Sequence, residues 1–431
     1  MTGLYRFILG CALVLFVALA AAAPPRDLPA STPAAEGFSA ARLARLDAAM
    51  QRQVSSGELA GIVTLLARHG KIVEAKTYGY QDLAAHKAMA RDAIVRIYSM
   101  TKPVTGVAMM LLYEEGAWSP SDPLSRFIPE FANLKVFAGL DKDGKPILVP
   151  PVHAPTIGEV MTHTAGFTYG SGNSPVDKAY QEVQPLAAAS LGEMMQRLAK
   201  LPLSYQPGTQ WVYSVSVDIQ GYLVEKISGK SLGDFMRERI FAPLGMQDTG
   251  FSVPAGKLAR VATIYDAEKG PQGLVAQPQD PNISSTPGLA SGGGGLYSTA
   301  DDYMRFAQML LNGGELGGTR ILSARTVALM RTVHLDPKLM TGEFGIGYQR
   351  MRPGFGYGYD VAVFENPLQA DSTAGTGTFL WDGAAGTWFW VDPANDLAFV
   401  GIIQRRVGPH LPPVQLTSRQ TVYQALEGAV H

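Results

Sequence analysis

Two β-rich runs near the start of the chain and three near its end enclose a long stretch of helix and loop, which limits the fold more than any other feature. Residues 62–68 and 72–80 flank His69-Gly70, a turn signal, and predict a hairpin. Residues 376–380, 386–391 and 397–404 read as further strands, separated by Asp382-Gly383 and by residues 392–396. Leu43, Leu46, Met50 and Val54 recur at helical spacing and predict an opening helix over 40–54; a closing helix is expected over 414–430. Strands at both ends with helices between them predict an α+β fold, one antiparallel sheet flanked by helices. The sheet part is expected from about 38–115 and 290–431, with an insertion over about 116–289 that is rich in Pro and Gly at 146–155, 169–175 and 271–295.

Composition removes several classes of function. With 46% apolar and 17% charged residues the chain can bury a large core, so it is not a disordered protein. Lys plus Arg number 36 and Asp plus Glu 37, a net charge of −1, which leaves no basic surplus to neutralise nucleic-acid phosphates. The single cysteine, Cys11, lies in an uncharged N-terminal run over 7–23 that follows Arg6 and ends in Ala21-Ala22-Ala23 before Pro24-Pro25. That pattern predicts a signal peptide over 1–23 and an exported chain, periplasmic or secreted, with no stable membrane span after cleavage. The mature chain then has neither a disulfide nor a thiolate nucleophile. The seven histidines form no H-x-H, H-x-x-H or H-E-x-x-H pair, so no metal is expected, and no motif calls for a cofactor. No feature assigns an oligomeric state.

Some motifs fail in context. Gly229-Lys230-Ser231-Leu232-Gly233 has the spelling of a nucleophile elbow, but a helix over 220–227 precedes it where a strand is required, and Ser231 with Asp234 reads as a helix cap. The same run lacks the earlier glycine of a phosphate loop, because Val224 stands there. Gly292 to Gly295 lack dinucleotide-binding spacing and predict a close approach between this loop and the sheet.

The segment that carries chemistry is Tyr98-Ser99-Met100-Thr101-Lys102. Ser99 is the one serine with a lysine three positions on, and Val104, Val107, Ala108, Leu111 and Leu112 follow at buried-helix spacing. Residues i and i+3 share a helix face, so the Lys102 amine comes within reach of the Ser99 hydroxyl. A helix N-terminus also offers free amides, and that of Ser99 can face a developing oxyanion. For Lys102 to accept a proton near neutrality its pKa must fall, which burial achieves. Capping alone also explains a lone S-x-x-K, so further matches are needed.

They exist. Tyr213-Ser214-Val215 and Trp381-Asp382-Gly383 follow in order, with flanks at 97–102, 161–166, 242–246, 291–301 and 388–393. With these the chain resembles the serine β-lactamase and penicillin-binding-protein superfamily, class C-like and nearest the family VIII carboxylesterases. The resemblance implies an all-helical insertion with the site between it and the sheet. It also implies Ser99 as nucleophile, Lys102 as its partner in deprotonation and Tyr213 as the general base or acid toward the leaving group. The oxyanion hole would be the amides of Ser99 and Ala384, and an acyl-enzyme would form and be hydrolysed. His163, in a Thr-His-Thr setting, is expected to be structural.

Three departures bear on substrate. Val215 replaces the amide-bearing residue of β-lactamases, Trp381 replaces their carboxylate-binding lysine with an apolar plate, and Asp382 replaces a glycine of the esterase form and would place a negative charge beside the cleft. Arg405 and Arg406 stand near a strand end where they would restore a positive charge. Trp381, Asp382, Gly383 and Val215 are thus the expected substrate-binding set, and the expected partner is a small neutral short-acyl ester. A β-lactamase, a D-amino-acid peptidase, an acyltransferase or a non-catalytic penicillin-recognising or cell-wall-binding protein are the competing readings.

Overall fold

This computed structural model describes residues 28–267, 273–339, 345–346, 349–350, 353–406, 408 and 411–427. The leader expected over 1–23 lies outside them. Among the described residues, eight strands form the central sheet: β1 (Gly61–Arg68), β2 (Lys71–Asp82), β3 (Lys87–Ala88), β4 (Phe355–Tyr357), β5 (Ala362–Phe364), β6 (Phe379–Asp382), β7 (Trp388–Asp392) and β8 (Leu397–Ile402). Their order is β4-β5-β6-β7-β8-β1-β2-β3 with neighbours antiparallel, so the two chain ends meet where Val63 pairs with Ile402 and Arg68 with Leu397. The β1–β2 hairpin turns through His69 and Gly70, both at positive φ (50° and 72°), the backbone a tight two-residue turn demands. Every residue of β7 and β8 is buried. These central strands are covered on both faces, so they read as continuous apolar runs and not as alternation.

Five helices brace the sheet or carry parts of the site: α1 (Ala40–Ser55), α2 (Thr101–Glu114), α3 (Ser216–Ser228), α4 (Ala300–Leu311) and α5 (Val414–Ala425). Ser39 caps α1, its side chain accepting from the Arg42 amide, while its own N–H donates to the Ala425 carbonyl at 2.8 Å and ties α1 to α5. On this side the Trp388 indole donates to Ser418 of α5 at 3.1 Å. The other side of the sheet faces α4, where the Tyr303 and Phe389 rings meet edge-on at 5.1 Å. Side chains alternate across a strand, so this one contact fixes which residues of β6 and β7 point where.

The inserted segment carries α3 and the short helices Ile157–Met161, Pro175–Val183, Leu191–Leu198 and Leu232–Met236, joined by long loops. It is not all-helical: it also carries two hairpins, Val136–Leu140 with Pro146–Val149 and Tyr265–Ala267 with Leu274–Ala276. The first closes because Asp141 accepts the Asp143 and Lys145 amides at 2.9 Å each, a local side-chain turn that favours a hairpin over a helix. Ser231 caps Leu232–Met236 as expected, accepting from the Asp234 amide. No helix among the described residues is long and apolar enough to cross a membrane.

Candidate active site

Ser99 sits in the 3-10 turn Tyr98–Met100 that leads directly into α2, one step ahead of the α-helix it was expected to open. The turn is forced by Tyr98, whose φ of +43° is rare for a bulky residue and belongs to the left-handed region. The Arg96 guanidinium lies over the Tyr98 ring, 4.6 Å from its centroid, and Ile97 donates to the Leu296 carbonyl at 3.0 Å. Strain held by surrounding contacts of this kind is common where a side chain must be presented to a ligand.

The i, i+3 relation survives the change of helix type. The Lys102 amine donates to Ser99 Oγ at 3.3 Å and to the Gly293 carbonyl at 2.6 Å. Tyr213, just before α3, donates from its hydroxyl to Ser99 Oγ at 2.8 Å. The ammonium end of Lys102 also lies over the Tyr213 ring at 4.6 Å and the Tyr169 ring at 5.5 Å. Lys102 has no exposed surface. Burial lowers its pKa from 10.5 to about 8, against the opposing pull of Asp218, Asp360 and Asp382. Burial raises the Tyr213 phenol above its ordinary value, the hydrogen bond with Ser99 working the other way. Near neutrality the site therefore holds a protonated phenol beside an amine within reach of its free-base form.

An aromatic cluster holds Tyr213 in place. Its ring meets Tyr169 at 5.3 Å, Trp381 at 5.7 Å and His163 at 5.0 Å. His163 is buried, contacts Ser214 Oγ through Nδ1 at 3.1 Å, and is held neutral because burial, then Lys102, lower its pKa well below the ordinary value. It underlies Tyr213, as a structural residue would.

Several expected substrate contacts are elsewhere. Asp382 pairs with Trp388 in the ladder and shares its face, so its carboxylate turns toward α5 and accepts from Gln415 at 3.3 Å. Burial raises its pKa to about 7. The negative charge expected beside the cleft is thus on the opposite face of the sheet, because adjacent strand residues point opposite ways. Val215 is buried at the N-terminus of α3 and offers no cleft surface. Trp381 does face the site but is only 1% exposed and packs between Tyr213 and Tyr357, backing the phenol where an open plate was expected. Arg405 is buried with its guanidinium on the Glu58 carbonyl at 3.1 Å and brings no charge to the cleft, whereas Arg406, paired with Asp266 at 2.6 Å, lines a cavity beside Tyr98 together with Arg96.

Gly383 has a packing role. A Cβ there would collide with the Ile97 carbonyl and with Thr387 Oγ1, which itself reaches the same carbonyl at 3.3 Å. Only glycine lets the end of β6 lie against the segment carrying Ser99. The next residue, Ala384, is exposed at the turn. Gly292 and Gly293 approach α2 and α3, not the sheet as expected: Thr105 donates to the Gly292 carbonyl at 2.8 Å, and a Cβ on Gly292 would strike the Val217 carbonyl. Tyr169 and the Gly293 carbonyl were missed as site groups, since both sit in Gly-rich loops with no local signal. A cavity of about 560 Å³ is lined by Arg96, Tyr98, Tyr297 and Gln404, and one of about 470 Å³ by Tyr169, Tyr205, Trp211 and Tyr213. No group of three or more metal-ligating side chains occurs among the described residues.

The chain is similar to a family of known proteins. A beta-lactamase family model matches residues 46–420. Protein Rv1367c of Mycobacterium tuberculosis is 36% identical over 382 residues, covering 87% of this chain and 92% of the relative. Esterase EstB of Burkholderia gladioli is 30% identical over 411 residues, covering 91% and 98%. Among solved structures, EstCE1, a hydrolase with promiscuous acyltransferase activity, superposes with a TM-score of 0.74 at 26% identity, covering 89% of this chain and 99% of that one.

Proposed function

Because this chain belongs to the beta-lactamase family of serine hydrolases, we propose that it cleaves neutral, short-acyl carboxylic esters through an acyl-enzyme on Ser99. The observation that carries the reading is the placement of Ser99 Oγ between the Tyr213 hydroxyl at 2.8 Å and a fully buried Lys102 amine at 3.3 Å. Similarity to esterase EstB supports the ester as substrate.

In this reading the free-base Lys102 amine takes the Ser99 proton as Oγ attacks the ester carbonyl. The oxyanion is received by the amides of Ser99 and of Ala384, which Gly383 brings against the Ser99 segment. On collapse the C–O bond to the alcohol breaks. Tyr213 gives its proton to the departing alkoxide and regains one from the Lys102 ammonium. Water then attacks the acyl carbonyl and loses one proton to the same pair; as the bond between Ser99 Oγ and the acyl carbon breaks, that proton passes to Oγ, and the carboxylic acid is released. The two cavities beside Tyr98 and Tyr213 suit the two arms of an ester. With Trp381 where β-lactamases carry a cationic lysine, and Arg405 buried on Glu58, this position offers no cation to a substrate carboxylate, while Arg406 in the Tyr98 cavity is already paired with Asp266. Export after loss of residues 1–23 is part of the proposal and rests on the leader pattern alone.

A paired assay of p-nitrophenyl butyrate and a chromogenic cephalosporin on one preparation tests the substrate class. Fast ester cleavage with slow cephalosporin turnover is expected; the reverse order would overturn the esterase reading in favour of a β-lactamase.

A further inference from the structure

One buried carboxylate near the Ser99–Lys102–Tyr213 triad takes no part in the hydrolytic steps. Asp218, in the first turn of α3, is fully buried, and its Oδ1 accepts from the Ser291 hydroxyl at 2.5 Å and from the Gly293 amide at 3.1 Å. Gly293 is therefore gripped from both sides, its N–H by Asp218 and its carbonyl by the Lys102 amine at 2.6 Å. Asp218 Oδ2 is buried with no hydrogen-bond partner. A Cβ on residue 293 would stand 2.6 Å from that oxygen and 3.1 Å from the Tyr169 hydroxyl, so a side chain there would displace the carboxylate.

We infer that Asp218 is a positioning residue for Lys102: through Gly293, whose amide it accepts and whose carbonyl accepts from the amine, it holds that amine on Ser99 Oγ. This role presupposes that the protein is a Ser99 hydrolase. Besides Asp218, the carboxylates of Asp360, from the turn between β4 and β5, and of Asp382, on the α5 side of β6, act on the Lys102 charge through space, and the neutral groups His163, Tyr169 and Tyr213 lie beside it. Asp360 is committed to Gln220 at 3.0 Å and Asp382 to Gln415 at 3.3 Å, whereas Asp218 is linked to the amine through a single residue. Removing a negative charge beside an amine disfavours its protonated form, so loss of the Asp218 charge moves the Lys102 pKa down.

The test is the pH dependence of kcat/KM for p-nitrophenyl butyrate, from about pH 5 to about pH 10, in wild type, Asp218→Asn and Ser291→Ala. Asp218→Asn is expected to lower kcat about tenfold or more with little change in KM, and to move the rising limb of the profile to lower pH by roughly one unit. Ser291→Ala keeps the carboxyl but removes a hydrogen bond that opposes the effect of burial and holds it ionised, so it should lower kcat less than Asp218→Asn and move the limb the same way by a smaller amount. A folded Asp218→Asn protein whose limb stays at the wild-type pH overturns the inference, as does a Ser291→Ala protein with wild-type kcat and limb should Asp218→Asn not fold. Wild-type protein that cleaves no ester and takes no phosphonate on Ser99 overturns the hydrolase reading itself, a result separable from the first two.

Discussion

The Tyr213 hydroxyl lies 2.8 Å from Ser99 Oγ across 114 residues of sequence, and burial keeps that phenol protonated while the same burial weakens the proton's hold on Lys102. One desolvated site thus pushes an acid and a base in opposite directions, an arrangement suited to shuttling a proton.

The pH profile follows from it. Lys102 loses its proton at about pH 8, so kcat/KM for a neutral ester should rise nearly tenfold per pH unit below that value and level off above it. No descending limb from Tyr213 is expected below about pH 10, because its pKa is raised. A stopped-assay series in constant ionic strength checks this; a plateau reached by pH 6 would remove Lys102 as the base.

Coupling between the two groups is measurable. Lys102→Ala and Tyr213→Phe should each lower kcat by about 10² or more, and the double variant should be little worse than either single one, since both serve one proton path. Losses that multiply would assign them to separate steps.

Burying an amine is costly to the fold. The folded-state pKa of about 8 lies below the ordinary 10.5, so the unfolded chain binds more protons between those values and stability rises with pH across that window. At neutral pH the penalty is on the order of 3 kcal/mol. Lys102→Met, apolar and of similar length, should therefore unfold at higher denaturant than wild type at pH 7 while being inactive, and the difference should shrink toward pH 10. A Met variant less stable than wild type at pH 7 would mean that the Gly293 and Ser99 contacts outweigh desolvation.

Much of the site was legible in the sequence because its first half is local. Ser99 and Lys102 are three residues apart and needed only a helical turn, and the edges of β1, β2, β7 and β8 follow from apolar runs bounded by turn residues. Tyr213 required the order of three motifs. What escaped were facts of parity and distance. That Trp381 faces Tyr213 while Asp382 faces Gln415 depends on pairing with Phe389 and Trp388, which no local pattern in β6 fixes. Asp218 reads as an ordinary acidic residue in a first helical turn, and its partners Ser291 and Gly293 are 73 and 75 residues away.

That parity yields a substitution pair with opposite outcomes. Asp382→Asn should leave the ratio of kcat/KM for neutral and carboxylate-bearing esters unchanged, because the side chain is on the α5 face. Trp381→Ala, which removes the backing of the Tyr213 ring, should cost about 3 to 5 kcal/mol of stability and lower kcat for both esters. Thermal unfolding and paired kinetics separate the two; a change of charge preference in Asp382→Asn would show that the carboxylate reaches the substrate.

The central claim is that Ser99 Oγ is the nucleophile. A fluorophosphonate ester reacted with wild-type protein and followed by peptide mass spectrometry should give one adduct, on the peptide carrying Ser99, and Ser99→Ala should take no label and lose at least about 10³ of the esterase rate. Label on Ser231, or a Ser99→Ala protein that keeps its rate, would contradict the account.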